Sequence, residues 1–88
     1  MNHPPIKMFS GSFCGYCMAA ERLLKSKGLA YEVIKVDEDP SNRELMLQMS
    51  GGARTVPQIF IGDVHVGGFD DLSELNASGE LDQLLSAS

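Results

Sequence analysis

From Ile6 to Val36 the chain runs strand, helix, strand, and that order constrains the fold more than any other feature. Ile6 to Ser10 reads as a short apolar strand. A helix starts near Gly15 and sets Cys17, Ala20, Leu23 and Leu24 on roughly one side, with Glu21, Arg22 and Lys25 elsewhere. Gly28 stops it, the usual role of glycine just past a helix. Tyr31 to Val36 alternates apolar Tyr31, Val33 and Val36 with Glu32 and Lys35, the pattern of a second strand. Two strands joined through a helix of crossover length pair in parallel with a right-handed connection.

Beyond Val36 the pattern changes hand. Asp37-Glu38-Asp39-Pro40-Ser41 turns into a second helix. Its start fits either a capping box of Ser41 with Glu44 or an Asp39 cap with Pro40 as first helical residue. Leu45, Met46 and Met49 supply its apolar stripe; Met46 and Met49 at helical spacing read as core rather than as soft metal ligands. Ser50-Gly51-Gly52 ends it. Gln58 to Ile61 and Val64 to Val66 form two strands joined by a tight Gly62-Asp63 hairpin. Gly67-Gly68 breaks the second strand, and Asp70 then caps a helix carrying Leu72 and Leu75 that stops between Asn76 and Gly79. Leu81, Leu84 and Leu85 suggest a closing amphipathic turn. A parallel βαβ half followed by an antiparallel ββα half predicts an α/β fold, one four-stranded mixed sheet flanked by helices. The 88 residues make a single domain spanning 1–88, large enough for one core, with no repeat or linker.

Charge removes several classes of function. The net charge of −5 argues against a nucleic-acid binder or a protein held on anionic membranes. The excess lies wholly in residues 45–88, where Arg54 stands alone against Asp63, Asp70, Asp71, Glu74, Glu80 and Asp82. Met1-Asn2-His3-Pro4-Pro5 lacks the basic region and long apolar stretch of a signal peptide, and no run approaches the roughly 18 apolar residues of a membrane span. The expected compartment is the reducing cytoplasm.

Cys14 and Cys17 are the only cysteines, spaced CxxC in Phe13-Cys14-Gly15-Tyr16-Cys17, where the first strand hands over to the first helix. A thiol at that junction faces backbone N–H groups with no intrahelical acceptor and the positive end of the helix dipole, which favours thiolate. Residues three apart on a helix are close enough for a disulfide. Exchange needs an exposed attacking thiolate and a second thiol to resolve the mixed disulfide; position assigns attack to Cys14 and resolution to Cys17. A zinc site would need two further ligands, and His3 and His65, the only histidines, are not spaced as a pair. Two other runs bear on the same surface. Thr55-Val56-Pro57 precedes a strand. On these residues alone an ordinary trans proline at a strand edge is the default, whereas a cis bond would turn the Val56 backbone outward to pair with an extended peptide. Gly67-Gly68-Phe69-Asp70-Asp71 joins glycines that allow close approach to a helix N-terminus that can bind a carboxylate, with Asp71 placed to meet an ammonium.

Cys14-Gly15-Tyr16-Cys17, Arg54-Thr55-Val56-Pro57-Gln58-Ile59-Phe60-Ile61 and Gly67-Gly68-Phe69-Asp70-Asp71-Leu72, in this order and at these spacings, closely resemble the glutaredoxins of the small bacterial dithiol type. The likeness covers essentially the whole chain. Thioredoxins differ by a Trp before a CGPC core, and this chain has no Trp. The resemblance implies a thioredoxin fold with cis Pro57 and a groove for glutathione, which would serve as co-substrate in reducing glutathionylated or disulfide-containing proteins and small disulfides. Cys14 would be the nucleophile and Cys17 the resolving thiol. Tyr16 would flank the tripeptide, Val56 would pair with its cysteinyl backbone, and Thr55 and Pro57 would belong to the same glutathione site. Gly68, Phe69, Asp70 and Asp71 would hold the γ-glutamyl end, with Arg43 for the glycyl carboxylate. No metal is expected in the enzyme as a monomer.

Four positions depart from the family pattern. Gly11 stands where a Lys is usual, Phe13 where Thr is common, Phe69 where Cys is frequent, and Gly15 where Pro is usual in the motif. Some members of the family with a small residue at that position hold a 2Fe–2S cluster between two protomers, so the resemblance also implies an alternative: a homodimer bridged by a cluster on Cys14 thiolates and two glutathiones, acting as carrier or sensor.

Overall fold

The computed structural model describes residues 3–86, so the leader reading of Met1 to Pro5 lies partly outside the described residues. Four strands and four helices follow in the order β1 (Ile6–Ser10), α1 (Gly15–Ser26), β2 (Glu32–Lys35), α2 (Pro40–Ser50), β3 (Gln58–Ile61), β4 (Val64–Gly67), α3 (Phe69–Ser78) and α4 (Glu80–Ser86). The sheet order is β2-β1-β3-β4. β1 pairs in parallel with β2 (Met8 opposite Val33) and antiparallel with β3 (Met8 opposite Ile59), and β3 pairs antiparallel with β4. This is the mixed sheet expected from the element order.

Alternation along the two central strands gives the sheet two buried faces. Ile6 and Met8 of β1 with Ile59 and Ile61 of β3 pack against Ala20 and Leu24 of α1, Leu72 of α3, and Leu81 and Leu85 of α4. Phe9 and Phe60 point the other way, onto Val36 and Met46, with the two rings edge to face at 5.9 Å between centroids. Three helices therefore cover one face and α2 alone covers the other.

The ends of the helices show which local signals win. After α1, Gly28 adopts φ 70°, and the Gly28 and Leu29 N–H groups donate to Lys25 O (2.9 Å) and Leu24 O (3.1 Å), closing the helix through a left-handed residue. At α2 the Asp39 cap prevails over the Ser41–Glu44 box. The Asp39 carboxylate accepts from the Ser41 N–H at 2.9 Å, Pro40 is the first helical residue, and Glu44 accepts instead from Gln48. Two sequence expectations are corrected. Asp70 does not cap α3: the cap is Gly68, Asp70 lies inside the first turn, and the Asp71 carboxylate reaches back to the Gly68 N–H at 3.1 Å. A residue three beyond the cap is the one whose side chain can reach the cap amide. The stripe of α2 is also narrower than its apolar residues suggest: Met46 is fully buried, while Leu45 and Met49 are each 39% exposed. A single helix covering one face of a small sheet has only one line of contact to bury.

Leu72→Ala removes a fully buried side chain between α3 and the sheet and should cost about 2–5 kcal/mol. Met49→Ala should cost under about 1 kcal/mol, because its side chain is already partly in water. Urea midpoints of the two variants check the contrast; equal losses would contradict the packing described.

Candidate functional site

The end of β1 leads into α1 through Gly11, Ser12 and Phe13, and this short connection sets Cys14 as the N-cap of α1. Phe13 adopts φ 55°, the only described non-glycine residue in the left-handed region, a conformation costing roughly 1–2 kcal/mol. The turn is pinned from the segment just past β2: the Ser12 N–H donates to the Asp37 carboxylate at 2.9 Å, and the Val36 N–H donates to Ser10 O at 2.8 Å. Hydrogen bonds from the Ser12 side chain and backbone hold the Asp37 carboxyl below the usual carboxylate range.

Cys14 and Cys17 are joined as a disulfide with their Cα atoms 5.2 Å apart, inside the ordinary range for such bonds. Their environments differ. Cys17 is 2% exposed on the sheet side of α1, whereas Cys14 is half-buried at the helix end. The Cys17 N–H points at Cys14 Sγ at 3.1 Å, and no acidic residue occupies the first turn of α1. Negative charge developing on Cys14 Sγ therefore meets a helix N-terminus and a backbone donor with no nearby carboxylate on that turn to oppose it. The Val56 carbonyl oxygen lies 3.8 Å from the same sulfur. The Val56–Pro57 bond is cis, as the family resemblance implies and as the residues alone do not.

Beside this sulfur runs a groove of about 610 Å³. Nine residues singled out from sequence line it together: Tyr16, Thr55, Val56, Pro57, Gly67, Gly68, Phe69, Asp70 and Asp71. The Tyr16 and Phe69 rings stack with centroids 6.3 Å apart and planes at 29°, bridging the starts of α1 and α3. Gly67, at φ 113°, passes so close to the Asp71 carboxylate that a Cβ there would collide with it. Arg43 sits on an exposed part of α2 and is not among the lining residues.

Gln58 and His65 also line the groove, and sequence reasoning gave neither a role there. Gln58 is buried at the start of β3, and its Nε2 donates to Thr55 O at 3.0 Å and to Thr55 Oγ1 at 3.3 Å. That orientation leaves Oε1 to accept from His65 Nε2 at 2.7 Å, so the ring proton on Nε2 is assigned from the network. His65 in turn stacks on Phe60 at 4.7 Å. The segment that carries Val56 is thus anchored by side chains of β3 and β4. A Gln opening an otherwise apolar strand is the one signal the sequence carries.

A sequence model of the family described as Glutaredoxin matches residues 6–66. Among similar proteins, a glutaredoxin of Pseudomonas aeruginosa is 45% identical over 84 residues, covering 96% of this chain and 99% of that one. Glutaredoxin 3 of Escherichia coli is 44% identical over 80 residues, covering 91% and 95%. Among solved structures, a buckwheat glutaredoxin–glutathione complex superposes with a TM-score of 0.83 at 35% identity, covering 94% of this chain and 77% of that one. A glutaredoxin of Brucella melitensis gives 0.81 at 41% identity, covering 97% and 91%.

Two outcomes follow from the geometry. Because the Asp37 carboxyl is depressed in the folded chain, its contribution is present above the ordinary Asp value of about 3.9 and is lost as pH falls through the lower, folded value. The stability gap between the parent and Asp37→Asn should therefore be widest near pH 7 and shrink below about pH 4 in urea titrations; a gap independent of pH would contradict the assignment. Gly67→Ala combines a disfavoured φ with the Asp71 collision and should lose more than about 1 kcal/mol by the same measurement.

Proposed function

The chain belongs to the glutaredoxin family of thiol–disulfide oxidoreductases, and from that premise we propose that it uses glutathione to reduce protein–glutathione mixed disulfides and small disulfides in the cytoplasm. The observation that carries this reading is the pairing of a half-buried Cys14, backed by a buried Cys17, with a groove that ends at the N-terminus of α3.

Cys14 thiolate, stabilised by the start of α1, attacks the glutathione sulfur of a glutathionylated protein. The disulfide to the protein cysteine breaks, and that cysteine leaves as a thiolate and takes a proton from water. A second glutathione thiolate then attacks the glutathione sulfur on Cys14, releasing oxidised glutathione and the Cys14 thiolate. With a protein disulfide, Cys14 forms the mixed disulfide to the protein, and Cys17 attacks Cys14 Sγ. The protein leaves reduced and the Cys14–Cys17 disulfide closes, the form described here; two glutathiones reopen it.

The groove suits the zwitterionic γ-glutamyl end of glutathione. First-turn N–H groups of α3 have no intrahelical acceptors and can meet a carboxylate, while Asp70 and Asp71 can meet the ammonium. Gly68 lets the ligand backbone approach. Val56 offers its backbone to the cysteinyl residue as an added strand, and Thr55, Tyr16 and Phe69 flank it. That a solved relative is a complex with glutathione supports the same ligand. Arg43, outside the lining, has only its charge to recommend it for the glycyl carboxylate. The iron–sulfur alternative rests on the open space beside Gly15 and gains nothing further from the structure.

Cys14→Ser should abolish reduction of a glutathionylated peptide, measured by NADPH consumption coupled through glutathione reductase. Cys17→Ser should keep that activity within about tenfold while losing reduction of protein disulfides. Turnover by Cys14→Ser would sink the assignment of the nucleophile.

A further inference from the structure

Among the described residues the side chain of Phe13 packs against none. It is 106% exposed, the most exposed of their large apolar side chains, and it belongs to neither core cluster. It does not line the groove either. Packing accounts for Phe9, Phe60 and Phe69; it does not account for an aromatic ring held fully in water on a left-handed backbone.

Its position supplies the missing partner. Phe13 directly precedes Cys14, so their Cα atoms are about 3.8 Å apart. When Cys14 bonds to a cysteine of a protein substrate, the two Cα atoms of that mixed disulfide come within about 4.4–6.8 Å of each other. Residues flanking the substrate cysteine then lie within reach of whatever side chain stands beside Cys14. On the groove side that is Val56 and Tyr16, the walls assigned to glutathione. Off the groove it is Phe13.

We propose that Phe13 is the contact residue for the polypeptide substrate and gives the protein a preference for disulfides whose cysteines are flanked by apolar residues. The proposal rests on the thiol–disulfide reading of Cys14. The step is the one already written: Cys14 thiolate bonds to the substrate cysteine sulfur, the substrate disulfide breaks, and the second substrate cysteine leaves as a thiolate that takes a proton from water. Phe13 touches the substrate chain and not the reacting sulfurs. Exposed to water in the free protein, the ring loses that exposure only when an apolar flank covers it, and this coverage favours the mixed disulfide. Acidic or strongly hydrated flanks gain nothing from it.

The test compares the full chain with Phe13→Ala, Phe13→Gly and Phe13→Leu on three disulfides: a cyclic peptide with Leu and Phe flanking its cysteines, the same peptide with Ser and Gly there, and bis(2-hydroxyethyl) disulfide. Phe13→Ala and Phe13→Gly should lower kcat/KM about tenfold on the first, through KM, and less than about twofold on the other two. Phe13→Leu should retain most of the preference. Because Gly relieves the backbone strain and Ala does not, similar behaviour of the two separates contact from conformation. Equal losses on all three disulfides, or none on the first, would overturn the proposal. Capture of the two peptides by Cys17→Ser protein, with and without Phe13→Ala and followed by mass spectrometry, reads the preference without glutathione turnover. Preferential capture of the apolar peptide that disappears with Phe13→Ala supports the contact even if bis(2-hydroxyethyl) disulfide is not turned over, an outcome that would sink the glutathione reading alone; equal capture overturns it.

Discussion

Everything at the reactive end of this molecule depends on how α1 is seated on the sheet. Cys17, Ala20 and Leu24 are buried along one line of the helix, and the latter two lie among Met8, Ile59, Leu72 and Leu81. That seating fixes the axis of α1, and the axis fixes where its first N–H groups point. Cys14 sits at that N-terminus because β1 stops four residues earlier and the connection is too short to wander. The same burial that stabilises the domain therefore sets one cysteine at the surface edge and shuts the other away. Exposure and the backbone donors at the start of α1 together separate the two sulfurs.

A second constraint is the allocation of charge between two helix starts. α1 has no acid in its first turn, so its dipole and the Cys17 N–H are free to act on Cys14. α3 has Asp70 and Asp71 in its first turn, and one of them is already tied to the Gly68 N–H. One terminus is built to favour an anion on the protein itself; the other presents amide donors and carboxylates together, a surface suited to a zwitterion. The Tyr16–Phe69 stack joins the two ends into one wall.

Much of this was legible in the chain. Period-2 alternation in β2, the glycine after α1 and the CxxC spacing are local signals, and local signals survive folding because they describe backbone preferences over a few residues. The cap of α3 was misplaced because Asp70 is as good a cap in isolation as Gly68; only the reach of Asp71 back to the Gly68 amide decides between them. Met49 and Leu45 looked like core because α2 is amphipathic enough to pack, but how much of a stripe is buried depends on what lies opposite, and a single helix covers that side of the sheet. Gln58 and His65 escaped notice for a related reason: their hydrogen bond joins β3 to β4, and the use of a buried amide is defined by the groups it faces.

The sequence by itself determined the order of elements, the parallel-then-antiparallel sheet and the cysteine pair at a strand-to-helix junction, since each follows from periodicity and turn chemistry within a short window. Tertiary structure decided the rest. It brought Val56 to 3.8 Å from Cys14, 42 residues away in the chain, buried Cys17 while leaving Cys14 half-buried, and left Phe13 bare beside Cys14. These are relations between distant segments, created when the two faces of the sheet are covered, and no short window of sequence contains them.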